Sequence, residues 1–319
     1  MNKKQLLRFY EQGYRNFTGV DLSGVDLSGA MLIGVNLTGA NLVGSNLSRA
    51  FLTKSNLSQA KLNRANLSFA KMSEVDISAA DLTKANISGA FLVKSHLTRA
   101  RLSGANLTHA NLRAANLFGA NLCSAKMFKI NLRQANLNQT NLQWANLQQG
   151  RLTGAQLQGS RLEGVNLSET FLIDVDLSST DLTAINFSQA RLSRANLSNS
   201  NLSQANLQQA QLRNANLNCA NLDRANLAQA QLRKANLDNA DLNNADLNNA
   251  DLRGASLQQT NLSNANLTNT DLMGANLDSA IFDPIFAEHM LSNSSDFFLP
   301  DTSQTALNLR EDRHPRLAL

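Results

Sequence analysis

Residues 65–69 read Ala-Asn-Leu-Ser-Phe and residues 225–229 read Ala-Asn-Leu-Ala-Gln, and this five-residue pattern decides the fold. Every fifth residue from 17 to 282 is large and apolar, which gives 54 consecutive positions with no shift of register. If this position is called i, position i−1 is Asn or Asp in 37 of the 54 repeats. Position i−2 is Ala, Ser, Thr, Gly, Val or Ile in every repeat except the first, which has Arg15.

A period of five residues fits neither regular element, because a helix repeats about every 3.6 residues and a strand every 2. Each pentapeptide must therefore contain a bend that turns the next large residue inward again. Asn and Asp suit bends, since their short side chains bond to nearby backbone groups. We predict coils in which positions i and i−2 point inward. Proline is absent from residues 17–283, as expected if backbone N–H groups join successive coils.

The exceptions at position i−1 indicate how many pentapeptides form one coil. Nine of the 17 exceptions lie 20 residues, or a multiple of 20, apart. They are Met31, Phe51, Lys71, Phe91, Arg151, Phe171, Arg191, Gln211 and Gln231. That column has 13 positions, so 9 of 13 depart from Asn or Asp, against 8 of 41 elsewhere. A coil of four pentapeptides explains this clustering, whereas a period of five alone does not.

Tandem A(N/D)LXX repeats of this kind resemble the pentapeptide repeat proteins, and the resemblance covers nearly the whole chain after residue 15. The opening LLRFYEQGYRNFTGVDLSG is also similar to an entry segment of that family. The resemblance implies an all-β fold, a right-handed quadrilateral β-helix with four pentapeptides per coil. The 54 repeats would then make about 13.5 four-sided coils.

Three segments follow from this interpretation. Residues 1–16 are predicted to form an N-terminal cap, with a helix over residues 3–14 whose Leu6, Leu7, Tyr10 and Tyr14 share one face. Residues 17–282 form the β-helix. Residues 283–319 contain all three prolines and are predicted to form a C-terminal cap and a flexible tail. A homodimer contact through this apolar end is the alternative to simple capping.

The composition contains no arrangement typical of an enzyme. The four histidines are dispersed, no serine has a partnered base, and no glycine-rich loop could hold a phosphate. We expect a non-enzymatic protein without a cofactor or a metal. No apolar run approaches the roughly 18 residues that span a bilayer, and the N-terminal residues do not resemble a secretory signal, so a cytoplasmic location is predicted.

One side of the predicted coil carries an excess of cations among apolar residues, and we call it the cation-apolar face. Twelve of the 22 Lys and Arg of the repeats lie on it, opposed only by Glu74, Asp174, Asp251 and Asp271, which leaves a net charge of +8. The other three sides sum to −3. The face consists of Met31, Phe51, Lys54, Lys71, Phe91, Lys94, Arg113, Arg133, Arg151, Phe171, Arg191, Arg194, Arg213, Arg233, Lys234 and Arg253, with Ile33, Val93 and Ile173 beside them.

Apolar residues clustered among cations on a surface are typical of a docking site, so the leading hypothesis is a scaffold that binds an unidentified partner protein. The alternative is a side that tolerates varied residues and carries charge for solubility. Mimicry of duplex DNA, by which some family members protect type II topoisomerases, requires an acidic surface and is disfavoured by the net charge of +5. Direct binding of nucleic acid or an anionic surface is expected to be loose, because coils about 4.8 Å apart do not match phosphates about 3.4 Å apart.

Overall fold

The computed structural model describes residues 1–283. The chain divides into two compact units, Met1–Leu172 and Ile173–Leu319, which we call unit 1 and unit 2. The predicted C-terminal cap and tail, and the homodimer contact proposed for that end, lie outside the described residues, except for Asp283. Its carboxylate accepts the backbone N–H of Asn264 at 2.9 Å.

Helix α1 spans Lys3–Glu11 in unit 1. Its start is fixed by a capping box, in which the Asn2 side chain accepts the Gln5 N–H at 3.0 Å and the Gln5 side chain accepts the Asn2 N–H at 3.1 Å. The predicted extension to residue 14 was wrong. Gly13 has a φ of +93°, and its N–H bonds to the carbonyl of Tyr10, which ends the helix. Tyr14 is exposed and does not share the buried face of Leu6.

The helix supplies hydrogen-bond donors to the first coil of unit 1. Lys3 Nζ donates to the carbonyl of Ser28 at 3.3 Å, and the Tyr10 hydroxyl donates to the carbonyl of Ile33 at 3.2 Å. Corresponding carbonyls of later coils accept backbone N–H groups instead; the Ser48 carbonyl, for example, accepts the Gly29 N–H at 2.9 Å. Side chains of α1 therefore occupy the place of a preceding coil at this edge.

A tight turn in each pentapeptide provides the predicted bend. In residues 65–70 of unit 1, the Leu67 carbonyl accepts the N–H of Ala70 at 3.1 Å, and Phe69, the second of the two residues between them, has a φ of +58°. The Asn66 side chain accepts the N–H of Ser68 at 3.1 Å, which confirms that the short amide bonds to the local backbone. The left-handed conformation at position i+2 recurs in most repeats and was not predicted from the sequence.

Backbone ladders join residues 20 positions apart and confirm the coil of four pentapeptides. Asn66 forms parallel bridges with Asn46 and Asn86 in unit 1, and Asn226 forms them with Asn206 and Asp246 in unit 2. These are isolated bridges, one for each pentapeptide, rather than strands of several residues. The described residues therefore fit a β-helix solenoid in which short extended segments alternate with turns.

The interior of each unit consists of the residues at positions i and i−2, as predicted. Leu107 and Ala105 of unit 1 have no exposed surface, and Phe187 is the largest fully buried side chain of unit 2. Packing is close at Gly150, where an added Cβ would lie 2.7 Å from the Leu147 carbonyl oxygen and 3.4 Å from Cγ2 of Ile130 in the preceding coil. Each buried leucine contributes roughly 1.5–3 kcal/mol from removal of apolar surface from water.

Amide ladders explain why Asn dominates position i−1. The Asn66 Nδ2 donates to Oδ1 of Asn46 at 3.2 Å, and Asn86 and Asn106 continue the same chain of bonds at 3.2 and 3.3 Å. Position i−1 points away from the interior, so a larger residue there can project into solvent without disturbing the core. The column of exceptions therefore changes the surface and not the fold.

Candidate interaction surface

In unit 1 the structure brings the predicted column together. Parallel bridges run from Met31 to Phe51, from Phe51 to Lys71 and from Lys71 to Phe91, and they continue through Asn111 and Asn131 to the last members. Arg151 and Phe171 complete the column, and Lys54, Lys94, Arg113 and Arg133 occupy positions i+1 or i+2 of the same side. Phe171 is half-buried and the other nine residues are exposed.

The apolar members of this column present substantial side-chain surface to solvent. Met31 is 50% exposed, Phe51 37% and Phe91 40%. Ile33 is also exposed and lies beside α1, since its carbonyl accepts the Tyr10 hydroxyl. Large apolar groups clustered in this way are typical of surfaces that bind other molecules.

Cations of unit 1 lie over aromatic rings of the following coil. Lys71 Nζ is 3.7 Å from the centroid of the Phe91 ring, and Arg151 Cζ is 6.0 Å from that of Phe171. A cation within about 6 Å of a ring face is attracted by the ring quadrupole. In each pair the cation precedes the aromatic residue by 20 positions, so the sequence places the two in neighbouring coils, whereas the stacking of the cation on the ring depends on side-chain conformation.

The cations of this part of the face have few carboxylates near them. Within unit 1, none of Lys54, Lys71, Lys94, Arg113, Arg133 and Arg151 forms a salt bridge. Glu74 is the only acidic residue on this side of unit 1, so the local balance is six cations to one carboxylate. These ammonium and guanidinium groups are available to acidic groups of another molecule.

In unit 2 part of the predicted charge is neutralised. Arg194 binds Asp174 through two bonds, Nε to Oδ1 at 2.6 Å and Nη2 to Oδ2 at 2.7 Å. Arg253 binds Asp251 in the same bidentate way at 2.8 and 2.7 Å, and its Nε lies 3.2 Å from a carboxylate oxygen of Asp271. Counting charges on a side from the sequence could not identify these pairs, which depend on side-chain conformation.

The two arginine pairs shift the titration of their carboxylates. Hydrogen bonds from Arg194 hold the pKa of Asp174 below its usual value, and those from Arg253 do the same for the pKa of Asp251. The pKa values of both arginines are raised by the same bonds. All four groups are therefore charged at neutral pH and largely satisfy one another.

The remaining cations of unit 2 are Arg191, Arg213, Arg233 and Lys234, and all four are exposed. Of these, Arg213, Arg233 and Lys234 form no salt bridge with a described residue. Met273, which was not predicted, is 54% exposed at the register position of Ile33. The sequence could have placed Met273 on this face, because 273 differs from 33 by a multiple of 20. The unit 2 part is nevertheless more polar, because its column has Arg191, Gln211 and Gln231 where unit 1 has Met and Phe.

Some exposed aromatic residues lie at other register positions and were missed. Phe69, Phe118 and Trp144 of unit 1 are all exposed, with Trp144 at 61%. Exposed aromatic groups are therefore not confined to the cation-apolar face. What distinguishes the unit 1 part is the alternation of Phe with cations that have no carboxylate partner.

The histidines and acidic residues of residues 1–283 do not gather into a metal-binding cluster. Residues 1–283 contain no group of three or more His, Cys, Asp or Glu that could hold a metal ion. His109 packs edge-on against Phe128, with 5.9 Å between ring centroids, and His96 lies in a different pentapeptide column. No helix in the described part of the chain is long and apolar enough to cross a membrane.

Comparison with solved structures identifies pentapeptide repeat proteins. HetL, a regulator of heterocyst differentiation from the cyanobacterium Nostoc sp. strain PCC 7120, is 31% identical over 88% of this chain and 97% of its own, with a TM-score of 0.24. A protein of the Arabidopsis thaliana thylakoid lumen is 30% identical over 31% of this chain and 68% of its own, with a TM-score of 0.30.

The fluoroquinolone resistance protein QnrB1 is 15% identical over 69% of this chain and 99% of its own, with a TM-score of 0.19. No curated protein matches the chain by sequence. A family model described as pentapeptide repeats in eight copies matches repeatedly between residues 16 and 283. The chain therefore belongs to the pentapeptide repeat family.

Proposed function

We propose that this pentapeptide repeat protein is a non-enzymatic interaction protein that binds a partner protein through the cation-apolar face. The observation that carries the proposal is the unit 1 part of that face. There, Phe51 and Phe91 alternate with Lys71 at intervals of one coil, and Lys54 and Lys94 lie beside them without salt bridges.

The physical basis is the combination of apolar area with lysines that form no salt bridge. Removal of exposed phenylalanine surface from water stabilises a complex, while unpaired lysines favour a partner of opposite charge and speed its approach. A surface that carried charge only for solubility would not need large apolar groups between the cations. The same basic character opposes a function in which this surface imitates the phosphates of DNA.

The proposal includes the finer architecture that the resemblance implies. We take the solenoid to be right-handed, as the family resemblance implies, and four-sided with about 13.5 coils, because four turns occur in each 20-residue interval. Residues 1–16 then act as an N-terminal cap and residues 17–282 as the scaffold that gives each surface residue a fixed register position.

The test is capture of partners by the full chain in native extract, with cross-linking and mass spectrometry to locate the contact. We expect a Phe51→Ser/Phe91→Ser variant to lose at least one partner that the unchanged protein retains. Phe118→Ser provides a matched control, because Phe118 is 38% exposed at another register position. Circular dichroism confirms that the variants remain folded.

Two results would contradict the proposal. One is an identical set of captured proteins for the Phe51→Ser/Phe91→Ser variant and the unchanged chain. The other is loss of partners by the Phe118→Ser control alone, which would move the binding surface to another side of the coil.

A further inference from the structure

We infer that the occupant of the unit 1 part of the cation-apolar face is an acidic amphipathic α-helix, tilted by about 27° from the coil axis. This inference rests on the proposed function and names the chemistry of the partner. It follows from the spacing of the coils, the arrangement of apolar and charged groups, and the scarcity of carboxylates on this side of unit 1.

The spacing of the coils restricts the kind of occupant that can contact the whole column. Met31, Phe51, Lys71 and Phe91 occupy four successive coils, and parallel bridges join each to the next. Bridged segments lie about 4.8 Å apart, so this column spans about 14 Å. A partner that contacts every coil must present side chains at nearly the same interval.

A helix meets this requirement with a modest tilt. Successive turns of an α-helix place side chains about 5.4 Å apart along its axis, and a tilt of about 27° reduces that interval to about 4.8 Å. The helix then drifts sideways by about 2.5 Å for each coil, or about 7 Å over the column. It therefore remains above the side that carries Phe51 and Phe91.

The alternatives fit less well. Side chains on one face of a β-strand lie about 6.7 Å apart, which would require a tilt of about 44° and a drift of about 14 Å over the same column. The phosphates of duplex DNA lie about 3.4 Å apart along each strand, and any tilt only shortens that projected interval. An extended peptide would drift sideways off the column, and the phosphates of a duplex could not reach the interval of about 4.8 Å between coils.

The side chains of the face restrict the chemistry of the occupant. The apolar stripe of such a helix would pack on Met31, Phe51 and Phe91, all of which are well exposed. Lys54 and Lys94 lie three residues after Phe51 and Phe91, so both fall on the same flank of the column, with Glu74 at that position in the coil between them and no salt bridge to either lysine. Glutamate or aspartate along the corresponding flank of the helix would meet these cations.

Lys71 can couple charge recognition to apolar contact at this site. Its ammonium group rests 3.7 Å from the centre of the Phe91 ring and has no carboxylate partner in unit 1. A partner carboxylate can attract this ammonium away from the ring, which uncovers the face of Phe91 for the apolar stripe. Charge and apolar contact would then be coupled in one binding step.

The test uses a fluorescein-labelled synthetic peptide of about 18 residues with leucine at helical spacing and glutamate along its flanks. A second peptide has the same composition with leucine and glutamate in strict alternation, which favours a strand. A third replaces each glutamate with lysine. Fluorescence anisotropy with the full chain gives the dissociation constants.

We expect the helical peptide to bind at least about tenfold more tightly than the alternating peptide, and the lysine peptide not to bind. Phe51→Ser/Phe91→Ser and Lys54→Glu/Lys94→Glu should each weaken binding by about tenfold or more. Phe118→Ser and Lys84→Glu, at other register positions, should leave the dissociation constant unchanged. Binding should also weaken as salt increases.

The inference is overturned if the alternating peptide binds as tightly as the helical one, or if the four substitutions on the face leave binding unchanged. It is also overturned if phosphatidylglycerol vesicles or duplex DNA bind this face more tightly than the helical peptide. If the helical peptide does not bind but Phe51→Ser/Phe91→Ser still abolishes capture of a native partner, the inference of a helical occupant is wrong and the proposed function stands. Failure of both experiments removes both proposals.

Discussion

The indole of Trp144 lies directly over Gly164, the residue at the same position of the next coil in unit 1. A Cβ added to Gly164 would overlap three atoms of the indole ring. Phe69 and Gly89 repeat the arrangement, since a Cβ on Gly89 would lie 2.5 Å from Cε1 of the phenylalanine ring. Side chains at position i+2 therefore extend along the coil axis, and a large one is accommodated by glycine in the coil that follows.

This pairing predicts an unusually costly alanine substitution. Gly164 has a φ of +65°, so Gly164→Ala should lose about 1–2 kcal/mol from backbone strain and about 1–3 kcal/mol more from collision with the ring. Gly104→Ala is the matched control, because it has a similar φ of +64° but only an ordinary contact of 3.6 Å with Lys84. Urea denaturation measures both variants.

A double-mutant cycle with Trp144→Ala separates the cost of backbone strain from the cost of collision with the ring. Trp144→Ala in the Gly164→Ala background should recover the part due to collision and leave the part due to backbone conformation. Equal destabilisation by Gly164→Ala and Gly104→Ala would show that the indole moves aside at no cost.

A disulfide test addresses the length of the coil. Ser68 and Ser88 occupy position i+1 in successive coils, and the Ser88 carbonyl accepts the N–H of Phe69 at 2.9 Å. Cysteines at both positions should oxidise to a disulfide, since parallel neighbours about 4.8 Å apart lie within the range that a disulfide spans. Cys123 and Cys219, which are free thiols, are first replaced by serine.

The control for that test is a pair of cysteines at Ser68 and Thr83, which are 15 residues apart and lie on different sides of the coil. Non-reducing electrophoresis and titration of free thiols measure the bond. Oxidation of the 68/83 pair in preference to the 68/88 pair would be inconsistent with four pentapeptides per coil.

Truncation of one core leucine should have a large effect. Leu107 has no exposed surface, and Leu107→Ala should reduce the free energy of unfolding by about 2–5 kcal/mol because the surrounding coils cannot close the cavity completely. Leu107→Met keeps the volume and should cost less than about 1.5 kcal/mol. Thermal denaturation followed by circular dichroism distinguishes the two, and similar losses would argue against a closely packed interior.

The Asp251–Arg253 pair predicts a dependence of stability on pH. The pKa of Asp251 is lowered from 3.8 when folded, chiefly by hydrogen bonds from Arg253. Its stabilising contribution is therefore fully present above pH 3.8 and is lost as the pH falls through the folded pKa. Asp251→Asn removes the charge but retains an oxygen that can accept the backbone N–H of Arg253.

Accordingly, Asp251→Asn should lower the melting temperature at pH 7 by no more than about 2–4 °C, because the pair is partly exposed. The difference from the unchanged chain should shrink progressively as the pH falls below 3.8 and Asp251 becomes protonated. A difference that is constant from pH 7 to pH 2 would mean that the substitution acts through packing and not through charge.

Much of the candidate site could be predicted because each pentapeptide follows the same local rules. The residue at i−1 points outward in every repeat, so Met31, Phe51 and Phe91 could be assigned to one column by counting in twenties. The pairing of Arg194 with Asp174 could not be predicted, although both residues had been placed on one side. Which carboxylate a flexible arginine reaches depends on rotamers that no periodicity specifies.

The sequence by itself determined the five-residue bend, the 20-residue coil, and the inward or outward direction of each position, because these follow from local turns repeated 54 times. The tertiary structure decided how residues in neighbouring coils meet. It placed Lys71 over Phe91, Trp144 over Gly164, and Arg253 between two carboxylates. Those contacts depend on distances of a few ångströms between side chains, whereas the repeat fixes only the backbone from which each side chain projects.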